Sequence, residues 1–405
     1  MNNDNLNLVE QIGDALHRIE HLFRQQCAYG AQTKALPEVF ASCGQFIGDD
    51  ASEIPQRGLH GISAALRVLG PCKSPESIAI VARLVKYCEA NFENDLKSLP
   101  DERQRLEPDD MANVIKLGEL LHGLSFLSAA HADTGRLAHN VASLLQRSLV
   151  DGKGWGYFLG DDKPALLPTA YAVRGLESTG FEQPASRTFI SDTLARRAVS
   201  SSKSAADLTT AVACAYCLTF STNGKQDNVL KAAFHSAWRS LEPLLTEDFE
   251  QNLEYWRGSR TYYVRVPWQL YLMALASEYS FYRFTSFRCQ TKLRSAIRAV
   301  RSASFKYPYS GQYLSSRTNA VAFEVLGAIR DRVRRLLLLH VAYAVDCLRV
   351  FSGSRPVRIA GFVLALVIIV YSSWQWYATG SARASDLAPK FLAALVIGVL
   401  AWGRR

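Results

Sequence analysis

Six times along this chain an amphipathic helical stretch is followed by one rich in small residues. The amphipathic members span 6–24, 75–91, 135–149, 187–199, 228–244 and 290–304. The small-residue members span 60–70, 113–127, 168–179, 207–220, 267–279 and 317–330. Starts of the second kind recur roughly 40 to 60 residues apart, the length of one helical hairpin with its loops. Apolar periodicity near 3.6 dominates, and strand-like alternation is rare. Residues 1–330 are therefore expected to form an all-α body of six outer–inner pairs, as an (α/α)6 toroid requires, although a plain helical solenoid carries the same period. The loops between outer and inner helices read as long and aromatic, for example Phe305–Ser316.

One stretch, Asp151–Leu176, is more specific than the rest. Asp151-Gly152 makes a turn, and Gly154-Trp155-Gly156-Tyr157 sets two large aromatics among glycines. Pro168-Thr169 then opens the small-residue helix Ala170–Leu176, Pro being tolerated in a first turn because it has no N–H to leave unpaired. Gln146, Asp151, Gly152, Gly154, Trp155, Gly156, Thr169, Ala170 and Leu176 resemble one repeat of the terpenoid cyclase and protein prenyltransferase superfamily. That resemblance implies an α/α toroid around a greasy cavity. Phe305–Ala320 echoes the same loop-then-helix pattern in degraded form.

The chain's net charge is +9, and from residue 333 onward nine Lys/Arg face two Asp, so most of the excess lies in the tail. The 48 % hydrophobic content is enough for a large core and a membrane segment. Ile359–Ala378 offers 20 uncharged residues, enough at about 1.5 Å each for a bilayer core of about 30 Å. Trp374, Trp376 and Tyr377 sit at one end like an aromatic belt, and Arg355 and Arg358 flank the other. Leu387–Trp402 is shorter and holds Lys390, and would be a second crossing. The expected anchor is thus a C-terminal membrane-spanning hairpin over 356–405, with the body on the cytoplasmic side of the inner membrane by the positive-inside rule. Between them, 331–355 reads as a basic amphipathic helix lying in the headgroups or as a last outer helix. A basic block beside an apolar one points to an anionic bilayer and away from nucleic acid. No signal peptide is visible, and eight cysteines without framework spacing fit reduced, cytosolic thiols.

For chemistry, Glu107-Pro108-Asp109-Asp110 resembles the acid motif of class II terpene cyclases, with Glu107 in place of its first Asp. The resemblance makes Asp109 the acid that protonates an alkene or epoxide, with Asp110 and Glu107 beside it. Clustering and burial raise a carboxyl pKa, as such an acid needs. An aspartate at a helix start is more commonly an N-cap. Trp155, Tyr157, Trp256, Tyr263 and Trp268 are candidate cavity rings, suited to carbocations or an isoprenoid tail, or plain core. Arg257 and Arg260 beside them would hold a diphosphate or headgroup. Asp161-Asp162 could carry Mg²⁺ with a diphosphate, though solvated turn carboxylates are commoner. Asp207, Cys214 and Cys217 share a helix but lack the prenyltransferase zinc pattern. His60, His122 and His235 read as core or interface residues. Two functions remain open: a membrane-anchored, cyclase-like isomerase or lyase acting on or binding a polyprenyl chain, and a non-catalytic toroid that binds a protein or lipid ligand and signals through its membrane hairpin.

Overall fold

The computed structural model describes residues 3–32, 40–41, 43–44, 46–48, 59–97, 113–127, 132–199, 205–221, 228–246, 251–257, 260–302, 306–307 and 310–351. These are all-α in class, with a few short strands. In chain order the helices are α1 (Asn3–Gln32), α2 (Leu59–Leu69), α3 (Pro75–Lys97), α4 (Val114–Leu124), α5 (Ala132–Arg147), α6 (Leu166–Ser178) and α7 (Pro184–Val199). There follow α8 (Ala205–Thr219), α9 (Asn228–Leu241), α10 (Trp268–Tyr279), the single turn α11 (Phe281–Phe284), α12 (Phe287–Arg301) and α13 (Ser316–Phe351). Met1–Asp331 and Arg332–Arg405 are separate compact units.

Within the first unit the helices fall into two kinds. Helix α12 buries Cys289, Lys292, Leu293, Ala296, Ile297 and Val300, a single stripe at helical spacing. Helix α6 is buried at every position from Leu166 to Glu177, and α10 from Trp268 to Ser277. Largely buried helices pack in succession, α2 on α4, α4 on α6, α6 on α8 and α8 on α10, each with an amphipathic neighbour against it. Helix α1 packs on α2, α3 and α12, where Arg301 of α12 meets Asp14 of α1 at 2.8 Å.

Small residues set the closest of these contacts. A Cβ on Gly118 of α4 would stand 2.4 Å from Tyr171 O of α6, and one on Gly175 would stand 2.4 Å from Gly118 O. The two backbones touch there, and no side chain fits between them.

The Asp151–Leu176 stretch folds as an interlocked loop. Asp151 and Gly152 take φ of 49° and 64°, closing a tight turn in which Val150 N donates to Gly154 O at 2.8 Å. Trp155 N donates to Thr169 Oγ1 at 3.0 Å, and the Thr169 hydroxyl lies 2.6 Å from Ala165 O and 3.1 Å from Trp155 O. A Cβ on Gly154 would fall 2.5 Å from Thr169 Oγ1, so this glycine is what lets the loop reach the helix. The helix starts at Leu166, slightly before the expected Pro168, which sits in its first turn.

Three features depart from the sequence expectations. The aromatic stretch 251–266 is a hairpin of β2 (Gln251–Arg257) and β3 (Arg260–Val266). The stretch after residue 305 holds β4 (Lys306–Tyr307) and β5 (Ser310–Ser315), and β5 pairs antiparallel with β1 (Phe46–Gly48). Helix α13 also runs unbroken through residue 330, where two helices were expected, because no proline interrupts it. Among the described residues no helix is long and apolar enough to cross a membrane. Both expected crossings, Ile359–Ala378 and Leu387–Trp402, lie outside the described residues.

Gly175→Ala is expected to destabilise the fold by about 1–3 kcal/mol, since the new methyl meets backbone and not a yielding side chain. Gly135→Ala, in α5 with open space around it, should be neutral or stabilise by about 0.5–1 kcal/mol. Urea denaturation of the two variants checks the contrast.

Candidate functional site

Four helices, α2, α4, α6 and α13, carry charge toward one place. Arg67 of α2 donates from Nε to Glu324 Oε1 of α13 at 2.6 Å and from Nη2 to Oε2 at 3.0 Å. Arg174 of α6 donates from Nη2 to the same Oε2 at 3.1 Å. On its other side Arg67 Nη1 lies 3.2 Å from Glu119 Oε1 of α4, and Glu119 also accepts from Arg317 Nε of α13 at 2.9 Å. Aromatic rings enclose these groups. Arg174 lies 5.0 Å over the Tyr216 ring and Arg317 5.4 Å over that of Tyr171. Tyr216 stacks on Tyr271 at 4.2 Å, and the Tyr171 and Tyr271 hydroxyls meet at 2.6 Å.

Burial alone would raise the Glu324 pKa, but Arg174 and Arg67 outweigh it and hold the carboxyl well below the usual range. A paired buried carboxylate of this kind is costly to orphan, because the charges left behind have no solvent.

A cavity of about 710 Å³ opens over this cluster at the C-terminal ends of α4, α6 and α8. Arg67, His122, Arg174 and Glu324 form its polar floor, and Leu16, Phe126, Tyr216, Phe220 and Phe323 contribute apolar wall. His122 Nδ1 lies 3.0 Å from Ser178 Oγ, whose hydroxyl donates to Arg174 O at 2.7 Å. His122 Nε2 sits 3.4 Å from Glu324 Oε1, near enough to feel its charge but outside hydrogen-bond geometry. Burial and then Arg174 push the imidazole down to about 4, despite Glu324. Cys72, also on the wall, is pushed up to about 12 by burial and then by Glu20. At neutral pH the floor thus offers an ionised carboxylate, two guanidiniums and a neutral imidazole. These groups and Cys72 supply neither a ready acid nor a thiolate.

The residues singled out in the sequence are scattered relative to this cavity. Glu107, Asp109 and Asp110 lie outside the described residues. Trp155 is completely buried, its indole N–H donating to Leu145 O at 2.7 Å, so it seals α5 to the loop. Tyr157 is half-buried, and its carbonyl accepts from Val114 N at 3.0 Å. Trp268 is buried at the start of α10. Trp256, Arg257, Arg260 and Tyr263 lie on the β2–β3 hairpin, where the register faces Trp256 with Thr261, Arg257 with Arg260 and Glu254 with Tyr263. Asp161 accepts from Phe158 N at 3.0 Å, a turn-closing bond. Cys214 and Cys217 are buried, and among the described residues no group of three His, Cys, Asp or Glu is arranged to hold a metal. His122 does reach the site. Arg67, Glu119, Arg174 and Glu324 are legible in the sequence only as charges set among small and apolar residues, a placement that demands a partner once buried.

Comparison with protein-family models, with curated proteins and with solved structures finds no match to this chain.

Two outcomes test the cluster. Glu324→Gln should cost about 3–5 kcal/mol in urea unfolding, since Arg67 and Arg174 lose their shared counter-charge. His122 makes stability pH-dependent: its folded pKa of about 4 lies below the ordinary 6.5, so the unfolded chain binds the extra proton between these values. Stability from this group therefore falls as pH drops from 6.5 to 4, by about 3 kcal/mol in all. His122→Gln should remove that part of the slope. The further loss at lower pH, as Glu324 with its depressed pKa is protonated, should remain.

Proposed function

We propose that residues 1–331 close into an (α/α)6 toroid and that this body binds a small amphiphilic ligand, isoprenoid or other lipid, in the cavity over Glu324. The packing of α1 against α12 supports closure, since it joins the first amphipathic helix to the last. Glu324 supports it too, gathering partners from α2, α4 and α6 around one carboxylate. The observation that carries the binding reading is the mixed lining: phenylalanines on the wall, guanidiniums beneath, in a volume suited to a small molecule. The apolar segments after residue 355 would tether the body to the cytoplasmic face of the inner membrane, where such ligands reside.

Binding is favoured over acid-initiated cyclisation because cyclisation needs a protonated carboxyl. Glu324 is held ionised by its arginines. Cyclisation would fall to Asp109, by the terpenoid-cyclase resemblance alone, and no Mg²⁺ is needed for ligand binding as proposed here.

Ala328→Trp puts an indole into the cavity wall. Native mass spectrometry of the full-length chain should show a co-purifying lipid-sized ligand, absent from this variant while its helical circular dichroism persists. A chain that purifies empty, with no thermal shift from isoprenoid or fatty-acyl amphiphiles, overturns the reading.

A further inference from the structure

Helices α9, α11 and α12 together carry eight Lys and Arg and no Asp or Glu. Lys292 is buried. Arg301 meets Asp14, whereas Arg288, Arg294 and Arg298 point outward along one exposed side of α12. The cations of α9 and α11 converge as well. His235 is driven below its ordinary pKa by burial and then by Arg283, Lys231 and Arg239, so all three act on one imidazole. The half-buried carboxylates nearby in the fold are Glu278 of α10 and Glu242 of the 3-10 turn after α9, and Glu242 accepts from Trp238 Nε1 at 3.0 Å.

At one end of this basic face two large aromatics stand in water. Tyr282 is 86 % exposed and Phe287 is 85 % exposed. They flank a fixed corner: Ser286 caps α12, its hydroxyl accepting from Cys289 N, so Phe287 is presented on a rigid first turn. A ring of that size left fully solvated forgoes about 1.5–3 kcal/mol of burial, which a second surface would recover.

We propose that the α9–α11–α12 face docks on the surface of an anionic phospholipid bilayer, the arginine row among the headgroups and Tyr282 and Phe287 at the acyl boundary. Charge complementarity selects the occupant, each cation near such a surface contributing about 1 kcal/mol. Tyr282 and Phe287 fall within six residues of each other around the start of α12, whereas the exposed arginines run on alone to Arg298, so the aromatics do not continue beside the cations as stacking along a nucleic-acid strand would require. The same chain also carries the uncharged run Ile359–Ala378, which the sequence assigns to a bilayer and which would raise the effective concentration of lipid at this face. The proposal does not depend on the cavity's ligand.

Hydrogen–deuterium exchange of the full-length chain tests it, read at peptides covering 281–301. Vesicles of phosphatidylcholine with phosphatidylglycerol should slow exchange there, and phosphatidylcholine alone should not. High salt should abolish the protection, because screening shortens the reach of the arginines. Arg288→Gln/Arg294→Gln/Arg298→Gln keeps good helix formers on an exposed side, and its circular dichroism should match the parent. Its docking equilibrium should fall roughly a hundredfold, returning these peptides to the phosphatidylcholine rate. Equal exchange on both lipids, protection unchanged in the triple variant, or protection by an oligonucleotide in place of anionic vesicles overturns the proposal.

Discussion

The fold is organised around one carboxylate. Glu324 accepts from Arg67 and Arg174 and lies against His122, so elements that start far apart in the chain are committed to one another. Taking these charges out of water is unfavourable by several kcal/mol per ion and is offset only when the geometry is nearly complete. A hydrophobic core of the same volume could tolerate sliding between α2, α6 and α13. This one cannot, because a shift of one turn would leave a guanidinium in apolar surroundings. The cluster is therefore a register device, and the cavity above it inherits a polar floor.

The same arrangement explains why the cavity sits where it does. The level of Tyr171 and Tyr271 is closed by their joined hydroxyls, and the stacked Tyr216 adds a further ring. The space left open lies at the C-terminal ends of α4, α6 and α8, where Phe126 and Phe220 line it together with Arg67, His122, Arg174 and Glu324. Aromatic and charged groups thus line one and the same space.

Much of the helical plan was readable because a buried helix and a half-buried one differ in period and in residue size. The Asp151-Gly152 turn was readable for the same kind of reason, since few residues accept positive φ. The hairpin Gln251–Val266 has a sequence signal too, Gly258-Ser259 standing between runs rich in aromatic and β-branched residues, but the same aromatics read equally as cavity lining, which hides the strands. The ion cluster was out of reach. Arg67 and Glu324 are 257 residues apart, and Arg174 and Glu324 are 150 apart, so local sequence shows each charge as an oddity without its partner. Trp155 illustrates the converse: its chemistry was evident, but only the fold reveals that its N–H is spent on Leu145 O.

The pairing of β1 with β5 has a bearing on how the polypeptide is made. Ser316 donates its hydroxyl to Gly44 O across 272 residues. During translation, Phe46–Gly48 must wait for that mate on the order of ten seconds to a minute at ordinary elongation rates. An early unpaired strand edge is a hazard on a crowded ribosome, so its brevity, three residues, is itself protective.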